Sequence, residues 1–187
     1  MTVDLTRAVG PADVVVLRGV SWTAKLIGIG SVWRGLDPAS HVAVVHHQDL
    51  AGRWWGIEGR PGGVGWVDMT RYLRDPKALC NHAQPKTAAA RADVSALMVK
   101  LLGTDYDWAE GIARDAFLDL DMPGQWRRSD PVTGLLPAHV VCSSLAAYGY
   151  DRTGLPAPHR PGEGVAQWRD VEPSDWRAWT ESAGWTG

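Results

Sequence analysis

Three short runs decide the fold class of this chain: HVAVVHH (residues 41–47), RWWGIEG (53–59) and GVGWVDM (63–69). They are rich in β-branched or aromatic residues and are separated by turn residues, which is the pattern of β-strands. A fourth run, DVVVLRG (13–19), precedes them and ends in glycine. Runs 41–47 and 53–59 are separated by a short loop around QDLAG, so we expect them to form an antiparallel hairpin.

Helical patterns follow the strands. Thr87 is a helix cap, and apolar residues recur at helical spacing from there to about Leu102, where Gly103 ends the pattern. Further helices are predicted at 107–120, from near Cys142 to Gly149–Gly154, and at 173–179 with Ser174 as cap. Residues 20–36 fit a helix or a loop, and 121–137 predict a long loop. Strands followed by helices favour an α+β fold.

Composition excludes several function classes. A formal net charge of −2 gives no reason to expect nucleic acid or an anionic membrane surface as a partner. The most apolar run, residues 26–33, is far shorter than the ~18 apolar residues that a membrane span needs. The first ten residues contain neither a basic nor an apolar region, so no secretory signal is visible.

The two cysteines, Cys80 and Cys142, make a disulfide scaffold an unattractive explanation and leave a catalytic thiol possible. Cys142 precedes small residues at an expected helix start, where unpaired N–H groups and the helix dipole favour a thiolate. The alternative is a buried, unreactive thiol, because free cysteine is among the most buried residue types. We interpret Cys80, in a predicted loop, as a bystander.

A nucleophilic thiol needs a base, which is usually histidine. His41 opens a strand after a turn-like segment, and we take it as the candidate. His46 and His47 lie at the far end of the same strand, and adjacent strand residues point to opposite faces, which disfavours a metal pair. The remaining histidines are His82, His139 and His159, and no His or Cys cluster has the spacing of a zinc site.

Glu58 is the candidate group that orients His41. If the hairpin loop centres between Asp49 and Leu50, paired residue numbers sum to 99 and Glu58 lies directly opposite His41, with Cβ atoms ~5 Å apart. A loop one residue longer would place Glu58 on the other face. The alternative is an ordinary edge-strand carboxylate.

Four segments together carry a family resemblance: PASHVAVV, WWGIEGRPGGVGWVDMTRYL, GTDYDWAEGIA and VVCSSLAAYGY. In this order they resemble the permuted NlpC-type papain-like cysteine peptidases, the YiiX-like group related to lecithin retinol acyltransferase. In that group a His strand and a Glu strand precede the Cys helix. The resemblance implies a circularly permuted papain-like fold, an antiparallel sheet packed against helices. It implies one catalytic domain over 1–187, with a core of about 11–155 and a C-terminal extension at 156–187.

The resemblance also implies site roles. It maps the nucleophile onto Cys142, the base onto His41 and the polar third member onto Glu58. Tyr106 is similar to a tyrosine near the oxyanion site of the family, and Ser143 falls beside the nucleophile in the same substrate and oxyanion region. The alternative for Tyr106 is a core residue at a helix start. The serine pair after Cys142, where relatives often carry Ser-Glu, and the 121–137 insertion depart from the family pattern.

The function that the resemblance implies is a cysteine hydrolase, a peptidase or amidase, acting through an acyl-thioester on Cys142. Its substrate would be a peptide or lipid-linked amide, such as a peptidoglycan peptide, with no cofactor and no metal. An acyltransferase or thioesterase with the same triad is one alternative. A non-enzymatic structural or binding module is another. We expect a cytoplasmic or phage-associated protein; the oligomeric state stays open.

Overall fold

A five-stranded antiparallel sheet organises the protein. The computed structural model describes residues 4–18, 39, 41–106, 136–137, 139–158, 168 and 171–185. The strands of the sheet are β1 (Val14–Leu17), β2 (His41–Gln48), β3 (Trp54–Arg60), β4 (Gly63–Asp68) and β5 (Leu79–Cys80). Their order across the sheet is β4-β3-β2-β1-β5. Two further short strands, β6 (Asp105–Tyr106) and β7 (His139–Val140), form a separate parallel pair.

Helices cover both faces of this sheet. In the described part of the chain they are α1 (Leu5–Ala8), α2 (Thr70–Leu73), α3 (Ala88–Lys100), α4 (Cys142–Arg152) and α5 (Pro173–Ser182). The prediction of an α+β fold is confirmed, as is an antiparallel sheet packed against helices. Within the described residues, no helix is both long and apolar enough to cross a membrane.

Alternate side chains of the strands enter two separate cores. Val42 and Val44 pack with residues of α3, α4 and α5, whereas Ala43 and Val45 pack with residues of α1 and α2. All four residues of β1 are buried, because its alternate side chains also enter the two cores. A strand buried on both faces reads as a continuous apolar run and not as an alternating one, which explains the valine-rich sequences of β1 and β2.

The C-terminal helix belongs to the main core. Trp176 is fully buried in the same cluster as Leu145 and Tyr150, and its ring lies edge-on to Tyr150 with centroids 5.2 Å apart. Its indole N–H donates to the Ser143 carbonyl over 3.2 Å. Part of the segment predicted as an extension, 156–187, therefore helps to hold the start of α4.

Several local predictions differ from the structure. The cap of α5 is Glu172 and not Ser174, because Pro173 occupies the first helical position, where its fixed φ and missing N–H are favourable. Ser174 consequently lies inside the helix. Cys80 lies in strand β5 and not in a loop, and Tyr106 lies in strand β6. By contrast, Thr87 caps α3 as predicted, its hydroxyl accepting from the Ala90 N–H over 3.1 Å.

Three predictions lie outside the described residues: the helix or loop at 20–36, the helix at 107–120, and most of the loop at 121–137.

Candidate active site

The candidate site lies at the end of the sheet where β2 begins, β3 ends and α4 starts. Gly59 of β3 allows this convergence. A Cβ added at Gly59 would lie 3.3 Å from the Cys142 nitrogen and 3.4 Å from its Cα. Because these are backbone atoms of the helix, a side chain at position 59 would push the start of α4 away from the sheet.

Cys142 is the first residue of α4 and is 5% exposed. The N-cap is Val141, which has no side-chain acceptor for the first-turn N–H groups. Ser144 instead fixes the entry of the chain, because its hydroxyl oxygen accepts from the Val141 N–H over 2.9 Å. The N–H groups of the first helical turn have no intrahelical acceptor, so partial positive charge lies at the thiol.

His41 connects Cys142 to Glu58. Its Nε2–H donates to Glu58 Oε2 over 2.7 Å, and the Cys142 side chain acts on the pKa of the imidazole. Since Nε2 is engaged by Glu58, the nitrogen left for the thiol is Nδ1. Burial lowers the pKa of His41, but the negative charges and hydrogen bonds of Cys142 and Glu58 outweigh it and raise the pKa to about 10.

Glu58 is buried, with 3% exposure, in an interior strand of the sheet. It is therefore not the edge-strand carboxylate considered as an alternative. The same Oε2 that receives His41 accepts the Tyr72 hydroxyl over 3.0 Å, and Arg60 Nη1 lies 3.5 Å from Oε1. Burial raises the pKa of Glu58, and the hydrogen bond and charge of His41, then Tyr72 and Arg60, lower it below its usual value.

The hairpin reaches this geometry by a register other than the predicted one. In pairs next to the loop, such as Gln48 with Trp54, the two residue numbers sum to 102. In pairs farther from the loop, such as Val44 with Ile57, they sum to 101. The expectation of 99 was wrong because the loop is longer. A β-bulge between Val45 and His47 leaves one residue of β2 without a partner, which lowers the sum of paired residue numbers from 102 to 101. The sum is then odd, as in the predicted register.

The odd sum keeps His41 and Glu58 on one face. Continuing the 101 register places His41 opposite Arg60, with Glu58 one step away on the diagonal. Diagonal neighbours have Cα atoms ~7–8 Å apart, a distance that an imidazole and a glutamate side chain span. The bulge therefore aims Glu58 at His41.

The bulge also overturns the expectation for His46 and His47. Their Nδ1 atoms lie 3.0 Å apart, so the two rings are on the same side of the strand and not on opposite faces. Both rings lie edge-on to Trp66, with centroids 4.9 Å and 5.6 Å away. Among the described residues, no group of three or more His, Cys, Asp or Glu side chains is placed to hold a metal ion.

The two remaining predicted site residues, Tyr106 and Ser143, lie near Cys142. Tyr106 is half-buried and pairs in β6 with Val140 of β7, two residues before Cys142. Ser143 follows Cys142 in the first turn of α4, and its side chain is buried at 2% exposure.

Cys80 has a different environment. It lies in β5 at 1% exposure, and burial raises the pKa of its thiol well above the usual value. The nearby Asp13 carboxylate acts in the same direction. A thiol held neutral in this way is a poor nucleophile.

Tyr72 and Gly59 escaped the sequence analysis. Gly59 follows Glu58 directly, and an isolated glycine inside a strand is a known sign of close backbone approach, so this signal was available. Tyr72 belongs to another element, α2, and only the tertiary fold brings its hydroxyl to Glu58.

A thiol, an imidazole and a carboxylate linked in series can generate a thiolate and pass its proton on, which is the basis of nucleophilic acyl transfer. No protein-family model matches the chain, and no curated protein matches it.

Proposed function

We propose that the protein is a cysteine hydrolase of the peptidase or amidase type, with a circularly permuted papain-like fold of the NlpC type. The observation that supports this most directly is the position of His41. It is hydrogen-bonded through Nε2 to the buried Glu58, and Cys142, the first residue of α4, acts on its pKa. The order of the three residues along the chain agrees with the family resemblance.

The proposed reaction uses these three residues in turn. His41 takes the Cys142 proton, and the thiolate sulfur attacks the amide carbonyl carbon to form a C–S bond. The N–H groups of Cys142 and Ser143, with the Tyr106 hydroxyl, stabilise the oxyanion. His41 then protonates the leaving amine as the C–N bond breaks. Water attacks the resulting acyl-thioester with His41 as base, releasing a carboxylic acid and the thiol, while Glu58 stabilises the imidazolium throughout.

The substrate of this proposal is a peptide or lipid-linked amide, with peptidoglycan peptides as the first class to test. These classes come from the resemblance. A cytoplasmic or phage-associated site of action is part of the same proposal.

Trapping of the acyl-enzyme tests the proposal. Wild type, Cys142→Ala and Cys80→Ala are incubated with peptide amides, acyl-lipid amides and a p-nitrophenyl ester, quenched in acid and measured by intact mass. We expect an acyl adduct in wild type and Cys80→Ala that is missing in Cys142→Ala. No adduct with any probe, or the same adduct in all three proteins, would contradict the proposal and favour a binding module.

A competition experiment then separates hydrolysis from transfer. The acylated protein is exposed to water alone and to water with a primary alcohol or amine. A free carboxylic acid as the main product in both conditions supports the hydrolase. Preferential transfer to the alcohol or amine would replace it with an acyltransferase that uses the same three residues.

A further inference from the structure

One oxygen of Glu58 receives two donors from different elements. Oε2 accepts His41 Nε2–H from β2 over 2.7 Å and the Tyr72 hydroxyl from α2 over 3.0 Å. Two donors fill the two lone pairs of one carboxylate oxygen, which fixes the direction of both. The orientation of Glu58 towards His41 thus depends on a residue outside the Cys142, His41 and Glu58 series.

We propose that Tyr72 is a positioning residue for the Cys142–His41 pair, holding Glu58 Oε2 against His41 Nε2. This inference rests on the proposed function, since it assigns Tyr72 a part in the same site. Tyr72 touches neither the thiol nor a reacting atom in this account. It acts through Glu58.

Tyr72 suits this task better than the other group near Glu58. Arg60 lies 3.5 Å from Oε1, the oxygen that does not contact His41, and its side chain is 52% exposed. Ion pairs with that much solvent contact are screened and contribute little. The Tyr72 hydroxyl instead reaches the oxygen that His41 uses, in a part of the site where Glu58 is 3% exposed.

The surroundings of Tyr72 hold its ring and its proton in place. The ring lies edge-on to the His41 imidazole, with centroids 6.1 Å apart, and the Arg71 guanidinium carbon lies 5.3 Å from the ring centroid. Burial and then the charge of Glu58 raise the pKa of Tyr72, so the phenol stays a donor. Tyr72 is therefore packed on one side by the base that it helps to orient.

Tyr72→Phe removes the donor and keeps the ring. The measurement is the rate of Cys142 alkylation by iodoacetamide from pH 5 to 9, read by peptide mass spectrometry, in wild type and variant. A less firmly held Glu58 stabilises the imidazolium less, so the thiolate forms at higher pH. We expect the profile to move to higher pH, with an alkylation rate on the order of tenfold lower at pH 6. Removing a hydrogen-bond partner that orients a metal-binding histidine has effects of this size.

Two controls distinguish positioning from general loss of structure. Tyr150→Phe removes a buried hydroxyl that bonds the Ala12 carbonyl over 2.6 Å, so it should lower the melting temperature and leave the profile unchanged. Adding Tyr72→Phe to Glu58→Gln should cause little further shift, because Tyr72 acts through Glu58.

The outcomes separate the two proposals. Suppose that the pH profiles of Cys142 alkylation differ between wild type and His41→Gln. If the Tyr72→Phe profile then equals that of wild type, or if Tyr72→Phe has its full effect in Glu58→Gln, the positioning role is wrong and the proposed nucleophile stands. If wild type and His41→Gln give the same profile, the proposed function itself fails.

Discussion

The His41 imidazole lies between an acid and a thiol, and this position sets its charge. Burial alone would favour the neutral ring, yet Cys142 and Glu58 raise the pKa of His41 to about 10. Both groups therefore favour the charged ring, and a positive charge beside a thiol favours the thiolate. Glu58 depends on His41 in return, since His41 is the main cause that lowers its pKa.

This mutual dependence predicts how stability responds to acid. The pKa of Glu58 is lower in the folded protein than its ordinary value of 4.5, so the stability that it contributes is present above pH 4.5 and is lost as the pH falls through the folded value. At pH 6, Glu58→Gln should lower the melting temperature by several degrees. Loss of a charged hydrogen bond costs about 1.5–3 kcal/mol, and 1 kcal/mol shifts Tm by about 2–4 °C in a chain of this size.

Thermal melts of wild type and Glu58→Gln at pH 6, 5, 4 and 3 check this prediction. The difference between the two melting temperatures should shrink as the pH falls below 4.5. A difference that stays constant down to pH 3 would mean that the charge of Glu58 does not stabilise the fold. It would contradict a stabilising His41–Glu58 ion pair.

At the scale of elements, the approach of α4 to β3 holds the nucleophile near its base. The Cβ of an alanine at position 59 would lie 3.3–3.4 Å from backbone atoms of Val141 and Cys142, which cannot rotate away. Gly59→Ala should therefore displace the helix start by a few tenths of an ångström. We expect slower Cys142 alkylation at pH 6, on the order of threefold to tenfold, because a small misplacement of reacting groups has large effects on rate.

Gly65→Ala is the matched control for this prediction. Gly65 is another strand glycine, in β4, and an added Cβ there would meet only the Arg60 side chain, at an ordinary 3.6 Å. It should change the alkylation rate little. Equal effects of Gly59→Ala and Gly65→Ala would show that the close approach at Gly59 has no bearing on reactivity.

The elements themselves could be predicted far better than the contact between His41 and Glu58. β-Branched and aromatic residues between turn residues mark β1 to β4, and Thr87 marks the start of α3. The register of the hairpin left no such signal. The loop is longer than predicted, and a bulge in β2 compensates for the extra length. The sequence did not indicate the bulge, because one extra residue in a strand buried on both faces disturbs no hydrophobic alternation.

The whole molecule adds constraints that no local pattern contains. Trp176 from the end of the chain packs in the core beside Leu145 of α4, and Tyr72 reaches Glu58 from α2. Such contacts depend on the tertiary fold, so the sequence could indicate Cys142, His41 and Glu58 by residue type and order but could not indicate what holds them.

A buried ion cluster joins elements far apart in the sequence. Asp13 Oδ1 accepts Lys86 Nζ over 2.9 Å and Arg91 Nη1 over 2.8 Å, and the side chain of Lys86 is fully buried. Lys86 also donates to the Asn81 carbonyl over 3.0 Å. The cluster lies near the start of β1, whereas His41 pairs with Leu17 at its other end. We infer that it stabilises the scaffold and not the candidate site.

Lys86→Met tests this separation. Removing one partner of a buried ion pair costs about 3–5 kcal/mol, and we expect the lower end because Arg91 remains beside Asp13. The unfolding free energy should fall, while Cys142 alkylation at pH 6 stays within about twofold of wild type. Lys77→Met, at an exposed lysine, should change neither quantity. A large loss of Cys142 reactivity in folded Lys86→Met would mean that the cluster acts on the site.

The central claim is that His41 activates Cys142, and the pH dependence of Cys142 alkylation in wild type and His41→Gln tests it most directly. Both proteins are pulsed with iodoacetamide from pH 5 to 10, and Cys80, buried in each, is the internal control for unfolding. The account predicts that wild-type Cys142 reacts at pH 6 while Cys80 does not. It also predicts that His41→Gln reaches half of its maximal rate at least about one pH unit higher, because the imidazolium that favours the thiolate is gone. Superimposable profiles, with Cys80 unlabelled in both proteins, would contradict it.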